Sequence, residues 1–273
     1  MDGLEVALLD PHKPIVKARL PNRILITGAS GGLGTALALH YAAPGRTLLL
    51  WGRDRVRLEA VAITCREAGA EVAVRSLDLA NCAAAIAALE EEDDAGAIGL
   101  ALLAAGIGDM RAPADLVEDA AQVVRLGLVN FVAASGMAAA MARRMTQRRE
   151  GAIVIIGSAA GFHALPFAAA YAGSKAGLAR FAEALRLNVR EHNVRVTLVS
   201  PGFIQTPAGQ KVAGPKPFLL QPSDAAARIA RAAALGHAHV IFPWPFALLR
   251  WIDRLLPMAL RDRLLIGLTP TNG

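Results

Sequence analysis

The chain has 273 residues, 54% of them hydrophobic and 19% charged, with 25 glycines and 2 cysteines. A chain this long buries roughly 70–75% of its unfolded surface without disulfide staples, and its apolar share excludes a disordered or collagen-like polymer. The formal charge of +6 raises nucleic acid as a partner, but the basic residues are scattered and no five of them run together. The densest group, Arg143-Arg144 with Arg148-Arg149, reads as a solvated helix end, so no nucleic-acid binding is expected. Cys65 and Cys82 cannot build a disulfide framework and have no metal-like spacing, which points to a reducing, cytoplasmic setting.

Residues 1–22 form an N-terminal extension. Asp2, Glu5 and Asp10 interrupt it, and its apolar run Val6–Leu9 is too short for a signal peptide. Short β-rich runs then alternate with Ala/Leu-rich helical stretches. Ile24–Thr27 is a predicted strand and Leu33–Ala43 a helix; Thr47–Trp51 is a strand and Asp54 to Ala68 a helix. Val72–Leu77, a helix near Cys82–Glu92 and strand Leu100–Ala104 follow, then a long helix over Leu116–Gln147. Strand Ala152–Ile156, helix Tyr171–Glu191 and strand Val194–Ser200 come next. A helix opened by Ser223-Asp224 and strand His239–Phe242 complete the pattern. Strands apolar on both faces, regularly alternating with helices, predict a single α/β domain over 23–245 with a three-layer, doubly wound parallel sheet.

Two apolar segments need separate accounts. Gly151–Ser174 carries no Asp, Glu, Lys or Arg, yet Gly157, Gly161 and Pro166 break it; it reads as a buried strand plus an active-site loop. Phe131–Ala142 also lacks charge, and a helix apolar all round is usually buried all round. Pairing with the same helix of a second subunit is the expected cover, in a homodimer or homotetramer. Residues 246–273 form an amphipathic tail that Pro257 divides into two helices too short to span a bilayer. The expectation is packing on the domain or a partner, with interfacial membrane contact as the alternative.

The first strand runs into Thr27-Gly28-Ala29-Ser30-Gly31-Gly32-Leu33-Gly34. Glycines permit the tight turn and let backbone N–H groups approach a pyrophosphate at a helix N-terminus. Gly28, Ser30, Gly32, Leu33 and Gly34 are therefore candidate dinucleotide ligands. Tyr171 and Lys175 stand at i and i+4, one above the other on a helix. An adjacent ammonium stabilises phenolate and turns a phenol of ordinary pKa near 10 into a usable acid/base. Upstream, Ser158 follows a predicted strand at the carboxyl edge, where a hydroxyl can hold a carbonyl oxygen.

These residues together make the sequence resemble the short-chain dehydrogenase/reductases over about Arg23–Thr206, which implies a Rossmann fold and an NAD(P)-dependent oxidoreductase acting on a carbonyl or alcohol. Asp78-Leu79, Ala105-Gly106, Asn130 and the run from Pro201 to Thr206 also match the family pattern. The resemblance implies that Tyr171 is the general acid in reduction, Ser158 orients the substrate oxygen, and Lys175 lowers the tyrosine pKa while bonding the nicotinamide ribose. It further implies that Asn130 positions a relay water and that Asp78 approaches the adenine. Leu79, Ala105, Gly106, Pro201 and Gly202 line the cofactor, with Ile204 and Thr206 at the carboxamide. One departure is Leu103-Ala104, where the family often has two Asn that tie the central strands together.

Other signals are weaker. His237 and His239 alone make a poor metal site, so no metal is expected. Cys65 and Cys82 read as packing residues, and Glu90–Asp94 as a solvated helix end. The second strand ends Gly52-Arg53, where NAD-preferring enzymes place an acid; Gly52 leaves room for a phosphate and Arg53 offers planar donors. The cofactor expectation is NADP(H) in preference to NAD(H). The mostly apolar loop Ala159–Phe167 and the candidate lid Pro207–Gln221 lean toward an apolar carbonyl substrate. A catalytically silent nucleotide-binding regulator is the rival reading. The intact Ser158, Tyr171 and Lys175 argue against it, because a binding module needs no tuned phenol.

Overall fold

The computed structural model describes residues 6–8, 22–108, 110–112, 115–210 and 214–267. Its strands and helices alternate along the chain: β1 (Val6–Leu8), β2 (Arg23–Thr27), α1 (Gly32–Tyr41), β3 (Thr47–Gly52), α2 (Arg55–Glu67), β4 (Glu71–Ser76), α3 (Cys82–Ala95) and β5 (Leu100–Leu103). A long helix follows as α4 (Ala120–Gly127), a π-helical turn (Leu128–Ala133) and α5 (Ala134–Arg148). Then come β6 (Gly151–Ile156), a 3-10 turn (Ala159–Phe162), α6 (Ala169–Val189), β7 (Val194–Pro201), α7 (Pro207–Gln210), α8 (Pro222–Leu235), β8 (His239–Phe242), α9 (Pro245–Leu255) and α10 (Met258–Gly267).

The sheet order is β1-β8-β7-β6-β5-β2-β3-β4. From β8 to β4 every pair is parallel. These seven strands are the expected parallel sheet, and an eighth strand joins its edge. Val6–Leu8, within the N-terminal extension, pairs antiparallel with β8 in the register Ala7↔Val240, covering an edge that would otherwise expose unpaired backbone groups.

Alternation along each strand divides the core by face. Ile24, Ile26, Leu48, Leu50, Leu102 and Val154 pack under α1, α2 and α8. Leu25, Leu49, Ala101, Leu103, Ile153 and Ile155 pack under α3, α5 and α6. This is why the central strands read as continuous apolar runs.

The long helix starts at Ala120 rather than Leu116, because the Asp119 carboxylate accepts from the Gln122 N–H at 3.0 Å and caps it. By length and composition it could cross a membrane, but here it lies against β5 and β6. Met137, Ala138, Met141 and Met145 are buried on its inner face, and Ile86 of α3 lies over Gly136. Flanking helices of the same chain therefore cover most of the uncharged run; Val132 is the large side chain left exposed.

The charged clusters also depart from expectation, since they pair with each other. Asp93, with 3% of its side chain exposed, accepts from Arg144 Nε at 2.6 Å, Arg148 Nη1 at 2.8 Å and the Ile98 N–H at 2.8 Å. Arg144 also bonds Asp94, and Glu91 and Glu92 meet Arg75. Neither Glu90–Asp94 nor Arg143–Arg149 is a freely solvated helix end, because folding brings the ends of α3 and α5 together.

Burial pushes the Asp93 carboxyl up, but the bonds from Arg144, Arg148 and Ile98 outweigh it and leave the group below the usual range. A depressed folded-state pKa contributes stability above the unfolded value, and that stability is lost as pH falls through the folded value. Asp93→Asn should cost about 2–3 kcal/mol at pH 7, after allowing for residual solvent around the arginines. Thermal melts should show a gap between wild type and variant that closes as pH drops through the acidic range.

Candidate active site

The chain leaves β2 toward β3 and β4 on one side, and returns at β5 to build β6, β7 and β8 on the other. The crevice above the β2/β5 junction is where open α/β sheets bind ligands. Gly28, at φ +70°, sits so close to the loop after β5 that a Cβ would lie 2.8 Å from Ala105 Cα. A Cβ on Gly34 would run into the Gly28 carbonyl, and one on Gly32 would lie 2.6 Å from Thr206 Cγ2. The backbone of this turn is thereby presented to the crevice. Gly31 caps α1 without a side-chain bond, which leaves first-turn N–H groups for a ligand. Thr206 lies on the glycine turn itself, and its hydroxyl accepts from the Gly209 N–H at 3.0 Å. Ile204 is nearly buried and bridges Leu220, and Pro201 ends β7 with Gly202 beyond it.

Leu103 and Ala104 leave the strand ends without the two amide side chains of the family pattern, and other residues tie them. Thr27 Oγ1 accepts from the Ala105 N–H at 3.1 Å, joining β2 to the segment after β5. Asn130, fully buried in the π-helical turn, accepts from the Ile107 N–H and donates to the Ile107 carbonyl, both at 2.8 Å. Its amide also reaches Ser174 Oγ at 3.3 Å. The side chain expected to position a water is committed to holding this loop.

Ser158 follows β6 and caps the 3-10 turn, its hydroxyl accepting from the Ala160 N–H at 3.1 Å. Tyr171 and Lys175 lie one turn apart on α6, and Ser158 is near enough to the Tyr171 hydroxyl to act on its pKa. Lys175 Nζ donates to the Ile156 carbonyl at 2.9 Å and stands 5.9 Å from the centre of the tyrosine ring. Burial raises the Tyr171 phenol, and Ser158 pulls it part of the way back. Burial also lowers Lys175 to about 8, and its ammonium is directed at the Ile156 carbonyl.

The adenosine end is open. Arg53 is exposed and Ser76 Oγ donates to its carbonyl at 2.8 Å, while Asp54 caps α2 through the Arg57 N–H at 3.0 Å. Asp54 is thus engaged with the helix and forms no ion pair with Arg53 among the described residues. Arg57 was not legible as a site residue: its Nη2 donates to the Ser30 carbonyl at 2.7 Å, placing a second guanidinium beside the glycine turn. Asp78 is exposed, accepts from the Ala80 N–H and meets Arg125 at 3.5 Å; Leu79 beside it is buried. Gly106 faces Asn130 and Lys175.

Away from the crevice, His239 Nε2 and Ser200 Oγ share a hydrogen bond of 2.9 Å. Burial, aided by Arg250 and opposed by Glu183, lowers His239 to about 4, so the ring is neutral at physiological pH. No group of three His, Cys, Asp or Glu able to hold a metal occurs among the described residues.

A glycine cradle that tolerates no Cβ, a helix N-terminus without a side-chain cap and the Arg57 guanidinium beside them fit an anionic dinucleotide. The comparisons agree. The family model described as short chain dehydrogenase matches residues 22–216. An uncharacterised oxidoreductase of Myxococcus xanthus is 34% identical over 245 residues, spanning 87% of this chain and 94% of the relative. A short-chain dehydrogenase from Sphingobium yanoikuyae, solved in complex with NADPH, superposes with a TM-score of 0.75 at 28% identity, covering 88% of this chain and 98% of that one. A bulky-bulky ketone specific alcohol dehydrogenase from Comamonas testosteroni gives 0.72 at 26% identity over 88% of this chain and 96% of its own.

Gly28→Ala combines a left-handed backbone with a collision at Ala105. It should weaken dinucleotide binding by about 100-fold or more while α-helical circular dichroism stays near wild type, as two misplaced loops at about 1.4 kcal/mol per tenfold imply. Quenching of protein fluorescence by NADPH measures it.

Proposed function

The chain belongs to the short chain dehydrogenase family and is an NAD(P)-dependent oxidoreductase; from that premise we propose that it works as a reductase of apolar ketones or aldehydes. The observation that carries this is the meeting of Ser158, Tyr171 and Lys175 beside the glycine cradle, with burial raising the phenol pKa so that it keeps its proton. A nicotinamide, when bound, supplies the hydride. Ser158 holds the carbonyl oxygen, and Tyr171 gives that oxygen its proton. Lys175, from its place beside Gly106, would hold the cofactor ribose, and Asn130 keeps the loop around Ile107 in place.

The preference for NADP(H) rests on the free Arg53 guanidinium, on the room at Gly52 and on Arg57 at Ser30. Each charge-assisted contact to a 2′-phosphate is worth about 1.5–3 kcal/mol, or about 10- to 150-fold. The apolar substrate class rests on the uncharged turn after Ser158 and on Phe203 and Phe246, whose rings meet at 6.2 Å. A second copy of the chain is proposed to cover Val124, Val132 and Leu187, exposed on the outer helices, in a homodimer or homotetramer. A cytoplasmic location is proposed from the two free thiols.

Two measurements test the reading. Purified enzyme assayed against a panel of ketones and aldehydes should oxidise NADPH faster than NADH, and Tyr171→Phe should lower kcat by about 100-fold or more while leaving NADPH affinity near wild type. Near-normal turnover in that variant would sink the mechanism. Arg53→Ala should remove most of the NADPH preference in kcat/KM, and the double variant with Arg57→Ala the remainder. A wild-type preference for NADH overturns the assignment.

A further inference from the structure

The tail is seated on the two loops that frame the candidate site. The ring of Phe246, in α9, lies directly against Gly202, leaving no space for a Cβ there, and packs edge-on with Phe203. One helical turn later the Arg250 guanidinium lies over the Phe162 ring, 5.1 Å from its centre. Arg250 is also 3.7 Å from Glu183 of α6, whose second oxygen is held by Arg180 at 2.7 Å. The edge of Phe162 meets His239 at 6.2 Å.

Phe162 closes the 3-10 turn that Ser158 opens. Within that turn the Ser158 hydroxyl takes the Ala160 N–H, and the Ser158 carbonyl takes the Gly161 N–H at 3.1 Å. On its inner side Gly161 is pressed onto α6, where a Cβ would stand 2.9 Å from the Lys175 carbonyl carbon and the Ala176 nitrogen. The turn is therefore clamped between a helix backbone and a guanidinium. A cation over an aromatic face, partly withdrawn from water, is worth more than an exposed one. Arg250 has 17% of its side chain exposed.

We propose that Arg250 of the tail is a positioning residue for the Ser158 hydroxyl, acting through Phe162 and the 3-10 turn. The proposal rests on the proton-transfer reading of Ser158 and Tyr171. With the clamp released, the Ser158 hydroxyl samples more orientations and acts less on Tyr171. Ser158 lowers the phenol pKa, so a weaker influence raises it. In reduction the alkaline limb of kcat, where the acid is lost, moves to higher pH. A merely structural role would scale activity down without moving the limb.

The chain offers a direct readout because it has only two tyrosines. Burial pushes Tyr41 up to about 12, against the opposing pull of Arg46 and Arg195, and a Tyr171→Phe blank subtracts its signal, so the difference in tyrosinate absorbance reports Tyr171. Among the described residues, the charged or titratable side chains on segments packed around Tyr171 are Lys175, Arg180 and Glu183 on its own helix, Arg111, Asp115 and Glu118 ahead of α4, His163 after the turn, and Arg250 on α9. Removing a nearby positive charge could itself raise a phenol's pKa, so an uncharged variant of the same clamp is needed. Phe162→Leu supplies it.

The experiment titrates tyrosinate absorbance in wild type, Ser158→Ala, Arg250→Met, Phe162→Leu and the two double variants with Ser158→Ala, with Tyr171→Phe as the blank. Circular dichroism tracks the fold at each pH. Ser158→Ala should move the Tyr171 titration up by about 1 pH unit, the scale of one hydrogen bond to a charged group. Arg250→Met and Phe162→Leu should each move it up by about 0.3–0.5 unit, and neither should add to Ser158→Ala. The kcat limb should follow for any ketone turned over with NADPH. Titrations of both clamp variants that superimpose on wild type overturn the proposal, as does an Arg250→Met shift that persists without Ser158. A Ser158→Ala titration that does not move defeats the proton-transfer reading, and the proposal with it.

Discussion

At the β2/β5 junction two loops approach to within contact of Gly28 and Ala105, and the rest of the site is referred to that contact. Any side chain at Gly28 would force the loops apart, and the residues around them act to keep them together. Thr27 bonds Ala105 across the junction, and Asn130 brackets Ile107 from the π-helical turn. Such turns put one extra residue into a helix and redirect the side chains on it. Here the redirected side chain is the one that locks the loop. Lys175 then stands over Gly106, so phosphate cradle and proton donor share one rigid support.

Burial within the site favours neutral forms. Burial raises Tyr171 and lowers Lys175 to about 8, so at neutral pH the phenol carries its proton and the ammonium is held at a cost. A phenol that keeps its proton suits the reductive direction, where an acid is required. Lys175 recovers its preference for the charged form beside an anionic ligand, which is also the ligand the glycine turn is shaped to hold.

Chemistry that demands a residue type at a fixed spacing was legible in the sequence. The glycine turn, Ser158, Tyr171 and Lys175 stand where the pattern put them, because the backbone contact and the helical i, i+4 relation are local constraints. Strand alternation was legible for the same reason. What depended on distant segments meeting was not. Arg57 reaches Ser30 only because α2 turns back over the glycine loop. Asp93 finds Arg144 and Arg148 only once α3 and α5 lie side by side. The antiparallel β1 depends on an edge that exists only in the assembled sheet. The tail was read as amphipathic, but its partners Phe162, Glu183 and Gly202 come from three separate stretches of chain.

These pairings also take up part of the chain's acidic charge. The acidic run at the end of α3 is drawn to arginines at the ends of α5 and β4, with Asp93 largely removed from water at the amino edge of the sheet. A charge neutralised by a near neighbour contributes little to the field a Debye length away. At the carboxyl edge Arg57 reaches the Ser30 carbonyl of the glycine turn, and Asp54, next to the exposed Arg53, is engaged in capping α2. The Arg57 charge therefore stands beside the turn shaped for an anionic dinucleotide, so long-range attraction and local hydrogen-bond geometry favour the same end of the molecule.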